Sequence, residues 1–404
     1  MHRSLRLFII VAALLLLATL VLEHVNGRFW LNDFRVYYMA ADAMRHGQPI
    51  YGVAFGEDTG LYKYAPAVLY FFLPYTWLPF EVAAVVHFLI IGAELILVFV
   101  LLEFVLSRYI VGNWMVRASS RALLGLLCIV VLLSRELHLG NINIGLVLLV
   151  VLATERSLAG KSWQAAFFLG LAWLVKPYLL LLAVPLAVRR EFRVLFQAGV
   201  VLAVGILLPV LFDGPGGWWA LQQEWVHTML GHSVILGSPD TFTAWTTQYV
   251  LGGYPAPRGT DLFFIGCAAL LLMGWTLAHV QDPGPERRQR LDRAVELWAA
   301  FALVPDLVVT DQEHFIFSLP LILFVLAYLF THRDRLALGW FIVAMCLYAT
   351  RSTDLWGSPI ENKLVGWGVL GLGNFLLIGC AVLVHGRWRS TWGASVSLPT
   401  PVAG

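Results

Sequence analysis

The chain has 404 residues, of which 59% are apolar and only 13% are charged. A soluble protein of this length cannot bury so much apolar surface, so the composition excludes an ordinary soluble domain and indicates an integral membrane protein. The formal net charge of +2 gives no indication of a nucleic-acid partner. The four cysteines are scattered singly through apolar stretches, a pattern that favours neither a disulfide framework nor a zinc site.

The N-terminal segment carries Arg3 and Arg6 ahead of an apolar run that extends to Leu22. A positive start before an apolar run is typical of an export signal, but this run is long enough to span a bilayer. We therefore predict an uncleaved membrane anchor. Cleavage near Gly27 is the alternative.

Apolar runs bounded by charges predict twelve membrane segments along the chain. They lie near 5–22, 82–105, 122–134, 144–153, 165–175, 178–188, 194–212, 262–280, 295–309, 315–330, 337–350 and 364–385. When these are threaded alternately, the connections on one side carry 18 of the 27 Lys and Arg residues, and the longer connections opposite carry nine. The positive-inside rule makes the first side cytoplasmic, together with both termini.

These segments predict an all-α, multi-pass protein of the plasma membrane. Residues 1–392 form one membrane domain, and 393–404 form a flexible tail. The long connections 23–81 and 213–261 are the first and second outer loops. Within the first, three prolines interrupt the apolar stretch 65–80, which we interpret as a re-entrant or interfacial element.

Several predicted helices are too short to cross about 30 Å of hydrocarbon, and they occur in pairs. In three pairs the outer connection is a broken polar stretch: Ser134 to Asn143, Lys176-Pro177, and Thr310 to His314. Non-helical backbone at membrane depth is tolerated only where protein or water satisfies its polar groups. We therefore expect the three breaks to meet around an outward-facing, water-accessible cavity.

The first outer loop begins with a short amphipathic helix that has Asp33 at its N-terminus and Gly47 as its C-cap. Asp33 has two interpretations. It caps the helix, which Asp does well, or it is a carboxylate held at the membrane boundary beside the cavity, where a general base would have to lie. Asp311, at the third break, is the alternative base.

The order of short motifs along residues 30–320 resembles glycosyltransferase family 87. The opening carries Asp33, Tyr37, Gly47, Tyr51 and Tyr64-Ala65-Pro66, and the later matches are Gly140-Asn141-Ile142-Asn143, Lys176, Gln248 and Glu313-His314. The resemblance implies a C-type membrane fold that transfers sugars from polyprenyl-phosphate donors outside the cytoplasm. It also implies a glycan or glycolipid acceptor and a membrane lipid environment, and it obliges no cofactor or metal.

The resemblance and the residue chemistry together assign roles. Asp33 is the expected base, and Lys176, His314 and Arg135 are expected to bind the donor phosphate. The expected substrate-binding residues are Tyr37, Tyr51, Tyr64, Asn141, Asn143, Gln248 and Glu313. The expected reaction is an inverting single displacement, with mannose as the first choice of sugar and arabinofuranose as the second.

Structural alternatives accompany these roles. Lys176 either binds phosphate, snorkels or pairs with a carboxylate, and a lone His such as His314 is often only a hydrogen-bonding residue. Arg135 and Glu136 either form an ion pair or line the phosphate pocket. The Trp and Tyr residues of the second outer loop form an interfacial belt, a sugar-stacking surface, or both.

Two other classes of protein share part of this pattern. A carrier or flippase for a lipid-linked sugar also has paired broken helices and an intramembrane cation, but it is expected to show two related halves. A scaffold protein needs no outer cavity. Donor turnover separates an enzyme from both.

Overall fold

A computed structural model of the protein describes residues 5–56, 60–111, 117–232, 241–250, 260–308 and 311–391. Every regular element in these ranges is helical, and the only strand-like pairing there is an isolated bridge between Ala54 and Leu61. The prediction of an all-α protein is confirmed for this part of the chain. The tail predicted at 393–404 lies outside it.

Five helical stretches in the described residues are long and apolar enough to cross a membrane: Arg6–Val25, Phe80–Val111, Leu262–Gln281, Gln312–Thr331 and Val369–Thr391. Two sharply bent helix pairs raise this number to seven if each pair is one span. Their apolar content supports the prediction of a membrane protein.

The helices up to the second bent pair are α1 Arg6–Val25, α2 Asn32–Arg45, α3 Phe80–Val105, α4 Ala118–Cys128, α5 Val130–Leu139, α6 Asn143–Leu158, α7 Ser162–Val175, α8 Ala183–Val188 and α9 Phe192–Leu207. The rest are α10 Val210–His232, α11 Phe242–Tyr249, α12 Thr260–Gln281, α13 Glu286–Leu307, α14 Leu319–Thr331, α15 Arg335–Tyr348, α16 Thr353–Trp356, α17 Ser358–Gly366 and α18 Val369–Thr391. Helical residues occupy all twelve predicted segments.

Tighter 3-10 helices occur in four places, and three of them begin with proline at the first or second position. They are Pro66–Phe71, Leu73–Trp77, Pro177–Leu182 and Gln312–Ser318. The first two fall within the stretch 65–80, which agrees with its interpretation as something other than an ordinary spanning helix.

Two predicted boundaries were wrong. The segment predicted at 122–134 is two helices, α4 and α5, bent by 69° near Ile129. Helix α5 continues to Leu139, so Ser134 is helical and the first break is confined to Gly140–Ile142. The described residues of the predicted second outer loop include most of α10, which follows α9 at an angle of 84°, and all of α11.

Small residues allow neighbouring helices to pack closely. A Cβ atom added at Gly170 on α7 would lie 2.7 Å from the backbone oxygen of Ala198 on α9. An added Cβ at Gly373 on α18 would lie 2.7 Å from the Leu347 side chain on α15. Glycine at such positions is typical of helix pairs in membranes, where backbones must approach each other for van der Waals packing.

Helix α3 defines two ends of the bundle. His87, near its N-terminus, hydrogen-bonds to the Gly140 break, whereas Glu103 pairs with Arg121 near its C-terminus. Sixteen residues of α-helix separate the two levels by about 24 Å. We call the first level the break end and the second the charged end.

Candidate active site

The three breaks meet at the break end. The Lys176 ammonium donates to the side-chain oxygen of Asn143 at 2.7 Å and also contacts Nε2 of His314. Asn143 begins α6, Lys176 follows α7, and His314 lies in the 3-10 helix that precedes α14. The predicted convergence of the breaks is therefore present in the structure.

Gly140 lets the first break come close to α2. It ends α5 with a φ of 65°, in the left-handed region that glycine adopts without steric cost. A Cβ atom there would lie 3.0 Å from that of Phe34 and 3.1 Å from that of Leu31. This close approach places Asn141 beside the start of α2, where its side-chain amide donates to Oδ2 of Asp33 at 2.7 Å.

Asp33 is not the N-cap of α2. That position is Leu31, whose backbone is left-handed and which makes no capping hydrogen bond. Asp33 lies in the first turn, and its carboxylate bonds to Asn141 instead. The capping interpretation was therefore wrong, whereas the expected C-terminal role of Gly47 is confirmed by its φ of 65° and its bond to the Met44 carbonyl.

The environment of Asp33 brings its carboxyl group toward neutrality. Burial raises the pKa of Asp33 to about 6. The charges of Lys63, Lys176 and Arg135 lower the pKa of this carboxyl, and the charge of Asp311 raises it. A carboxylate with a pKa near the working pH suits a general base, because it is ionised and still accepts a proton readily.

His87 fixes α2 against the break. Its Nε2–H donates to the Gly140 carbonyl at 3.0 Å, and its Nδ1 lies 3.3 Å from the Tyr75 hydroxyl. The ring also stacks on Phe34, with centroids 4.1 Å apart. His87 thus joins the spanning helix α3 to the two elements that hold Asp33.

Lys176 is buried but retains donor capacity. Its backbone is extended between α7 and the following 3-10 helix, so its side chain enters the cluster from a break in the helix. An ammonium has three N–H donors, and the contacts with Asn143 and His314 use two of them. The rings of Tyr64, Tyr178 and Phe317 lie 5.8–5.9 Å from Nζ and provide cation–π contacts.

Glu136 positions Asn143 and does not pair with Arg135. Its two carboxylate oxygens accept from the Asn143 side chain at 2.9 Å and from the Ile144 backbone at 3.1 Å. Arg135 is exposed, and it lowers the pKa of Asp33 through its charge. Of the two interpretations of this dipeptide, the ion pair is therefore wrong.

His314 is held in one tautomer by its neighbours. Because Lys176 can only donate, His314 Nε2 is the acceptor, and Nδ1–H faces the Asp311 carbonyl at 3.2 Å. The adjacent Glu313 is 1% exposed, and its Oε2 has no hydrogen-bond partner among the described residues. A buried polar atom without a partner is costly and therefore needs an explanation, and a ligand that binds there is one.

Three predicted substrate-binding tyrosines form a chain of hydrogen bonds that begins at Asn141. The Tyr37 hydroxyl lies 3.3 Å from the Asn141 side-chain oxygen and 3.2 Å from the Tyr64 hydroxyl. Tyr51 donates to the Tyr64 backbone at 2.8 Å. Burial raises the pKa of Tyr37 well above its ordinary value, so its hydroxyl remains a proton-bearing donor.

Two acidic residues flank the third break, and the predicted Gln248 lies in α11. Asp311 is exposed at the third break, close enough to influence Asp33. Asp306 is buried elsewhere, where it accepts from Asn374 at 2.7 Å. Gln248 falls within α11, but its side chain lies outside the described part of the structure.

Sequence reasoning missed three residues of the site: Lys63, His87 and Tyr178. His87 could have been recognised from the sequence as a candidate site residue, because it is a polar residue inside an apolar run. Lys63 directly precedes Tyr64, and Tyr178 follows Lys176 by two positions. Whether Lys63 and Tyr178 lie near the cluster depends on how the loops fold, and sequence spacing does not predict that.

The fold and the site define a class: an all-helical membrane protein with a polar cluster where broken helices meet. Within that class the chain belongs to glycosyltransferase family 87, whose sequence model matches residues 62–310, more than half of the chain. It is accordingly a glycosyltransferase. No curated protein and no solved structure matches the chain. The matched region contains Asn141, Asn143 and Lys176 but begins after Asp33.

Proposed function

We propose that this glycosyltransferase moves a sugar, mannose in the first instance, from a polyprenyl-phosphate donor to a hydroxyl of a lipid-linked or cell-envelope glycan. The reaction takes place at the extracytoplasmic face by inverting single displacement. The observation that carries the proposal is the meeting of the three breaks, which brings a half-buried carboxylate and a buried ammonium into one polar cluster.

Asp33 is the proposed base. The acceptor hydroxyl gives its proton to Asp33 while its oxygen forms a bond to the anomeric carbon. One carboxylate oxygen is oriented by Asn141, which in turn is held by Tyr37. Among the described residues, Oδ1 of Asp33 accepts no hydrogen bond, so it is available for the proton.

Lys176 is the proposed partner of the leaving phosphate. As the bond between the anomeric carbon and the phosphate oxygen breaks, negative charge develops on the departing group. The remaining N–H donor of Lys176 stabilises that charge, and a buried cation does so strongly because water does not screen it. Arg135 adds a second positive charge at the exposed side, and His314 holds the ammonium in place.

The finer architecture belongs to the same proposal. Twelve membrane helices of a C-type fold place both termini in the cytoplasm and the break end outside the plasma membrane. The charge distribution of the connections supports this orientation, because Arg189 and Arg287 lie at the opposite end of the bundle from the breaks. A donor flipped to the outer leaflet would then reach Lys176 from the membrane.

The test is a transfer assay with purified full-length protein. It is incubated with polyprenyl-phosphate mannose and a panel of glycan and glycolipid acceptors, and three quantities are measured: glycosylated product, released polyprenyl phosphate and the anomeric configuration of the product. The proposal predicts equal amounts of product and released phosphate lipid, with inverted configuration.

Other outcomes separate the parts of the proposal. If only a polyprenyl-phosphate arabinofuranose donor gives product, arabinofuranose would replace mannose as the proposed sugar, and the proposed mechanism would stand. Retained configuration would contradict single displacement. Movement of the donor across vesicle membranes, without turnover of any donor, would instead support a carrier.

A further inference from the structure

A second buried cluster lies at the charged end of the bundle. His279 on α12, Asp292 on α13 and His385 on α18 each offer one metal-ligand atom, and these three atoms lie within 4.8 Å of one another. All three side chains are buried, with exposed fractions of 1–7%. In the part of the chain that the structure describes, this is the one group of three such residues that comes so close together.

We propose that these three side chains bind one divalent transition-metal ion, with Zn²⁺ as the best match. Two imidazoles and one carboxylate form a ligand set that zinc prefers. Mg²⁺ and Ca²⁺ favour sites made only of oxygen ligands, so the two histidines select against them. The assignment is independent of the sugar-transfer proposal, because it concerns the other end of the helices.

The residues around the cluster support a ligand role for His279. Its Nδ1–H donates to Oε1 of Glu296 at 2.7 Å, which leaves Nε2 available for a metal. Glu296 is held in turn by Arg189, which donates to both of its oxygens at 2.6 and 2.7 Å. A carboxylate that accepts from the outer nitrogen of a ligating histidine is a recurrent feature of zinc sites, since it fixes the ring and its tautomer.

The pair of His385 and Asp292 needs one rearrangement, and Asp292 also has a cationic neighbour, because Nε–H of Arg389 lies 3.2 and 3.3 Å from its two carboxylate oxygens. In the structure Nε2 of His385 lies 2.8 Å from Oδ1 of Asp292, a hydrogen-bond distance. The ion takes the place of the shared proton, and the imidazole stays neutral by carrying its hydrogen on Nδ1. Ligand atoms around tetrahedral zinc lie about 3.3 Å apart, so the three side chains must adjust by about 1 Å.

A bound ion would connect three helices near their ends. Helix α12 contributes its C-terminal part, α13 its N-terminal part and α18 its C-terminal part. The connection between α12 and α13 lies beside the cluster, and its Asp282 is 65% exposed, which gives an aqueous approach. Three protein ligands leave the fourth position of a tetrahedral ion to water, and the bound ion would join the three helices at the end opposite the breaks.

The test uses Co²⁺ as a spectroscopic substitute for Zn²⁺. The full chain, purified without a polyhistidine tag and stripped with a chelator, is titrated with Co²⁺, and the visible d–d absorption of a tetrahedral complex is recorded. The expected result is one Co²⁺ per chain, displaced stoichiometrically by Zn²⁺, with a rise in the melting temperature on zinc addition.

Variants locate the site. His385→Gln and Asp292→Asn are expected to weaken Zn²⁺ binding by more than the 10–100-fold that loss of an outer-shell partner costs. The matched control is His46→Gln, which removes an exposed histidine directly after α2 and should leave binding unchanged. Absence of the d–d bands in the native chain would by itself overturn the assignment. Equal Co²⁺ binding by the native chain and by His385→Gln would also overturn it.

Discussion

The break end and the charged end of the bundle are both rich in polar side chains, but they use them differently. At the charged end, carboxylates are matched to guanidinium groups: Glu103 with Arg121, and Glu296 with Arg189, which directly follows α8. At the break end, Asp33 has only an amide partner for its carboxylate, and Lys176 is bonded to neutral groups.

This difference indicates what each end contributes. A buried charge that is fully paired, as Glu103 is with Arg121, holds helices in register. A buried charge bonded only to neutral groups is costly in the free protein, and it recovers that cost when a substrate of opposite charge arrives. Broken helices make the second arrangement possible, because they aim side chains and backbone into a common space.

The largest expected effect is on catalysis at the break end. Asp33→Asn keeps the shape of the side chain but removes the base, so the rate of sugar transfer should fall about 10²–10⁴-fold, the usual contribution of a general base. The measurement is kcat with saturating donor and acceptor. Asp42→Asn, on the same helix and paired with His46, is the matched control and should retain the native rate.

A substitution at the charged end should have an effect of comparable free energy to that of Asp33→Asn, but on the stability of the protein instead of on catalysis. Arg121→Met leaves Glu103 buried without its partner and should lower the free energy of unfolding by about 3–5 kcal/mol. Denaturation in detergent measures this value. The double variant Arg121→Met with Glu103→Leu should recover part of it, because it removes the unpaired charge; no recovery would mean that the pair is not what stabilises this end.

Loss of the buried ammonium should have the next largest effect. Lys176→Met removes the charge that is proposed to stabilise the leaving phosphate, and kcat should fall about 10²–10³-fold, as it does when one preorganised donor is lost. Lys161→Met, which alters an exposed lysine at the start of α7, is the control. A fall in affinity with unchanged kcat would restrict Lys176 to ground-state binding.

The smallest effect is the pH dependence. Since the pKa of Asp33 is raised to about 6, the carboxylate is ionised above that pH and protonated below it. The value of kcat/KM should therefore increase as pH rises through about 6, with a difference of about tenfold between pH 5 and pH 7. A constant kcat/KM over this pH range would show that the titration of Asp33 does not control the rate.

The sequence predicted the helices well because hydrophobic runs and prolines act locally. The Lys176-Pro177 break is an example: proline cannot continue the helix, and its predecessor is driven to an extended backbone, as observed for Lys176. The bend near Ile129 was missed, since no proline or glycine marks it and both flanking helices are apolar.

Contacts within the site were harder to predict. The bond between Asp33 and Asn141 spans 108 residues, and local sequence at Asp33 equally favours a helix cap. His87 and Glu136 act on the backbone and side chains of the first break through packing that no short motif encodes. Residue chemistry thus predicted several of the residues that meet at the break end, and the fold determined their partners.

The most direct test compares Asp33→Asn with Arg121→Met, measuring sugar transfer per folded molecule and the free energy of unfolding for both. The account predicts that Asp33→Asn loses at least about 10²-fold in transfer with little change in stability. Arg121→Met should lower the free energy of unfolding by about 3–5 kcal/mol. Those molecules of this variant that are folded should transfer sugar at the native rate. Native transfer by a folded Asp33→Asn protein would contradict the central claim that the break end is the active site with Asp33 as its base.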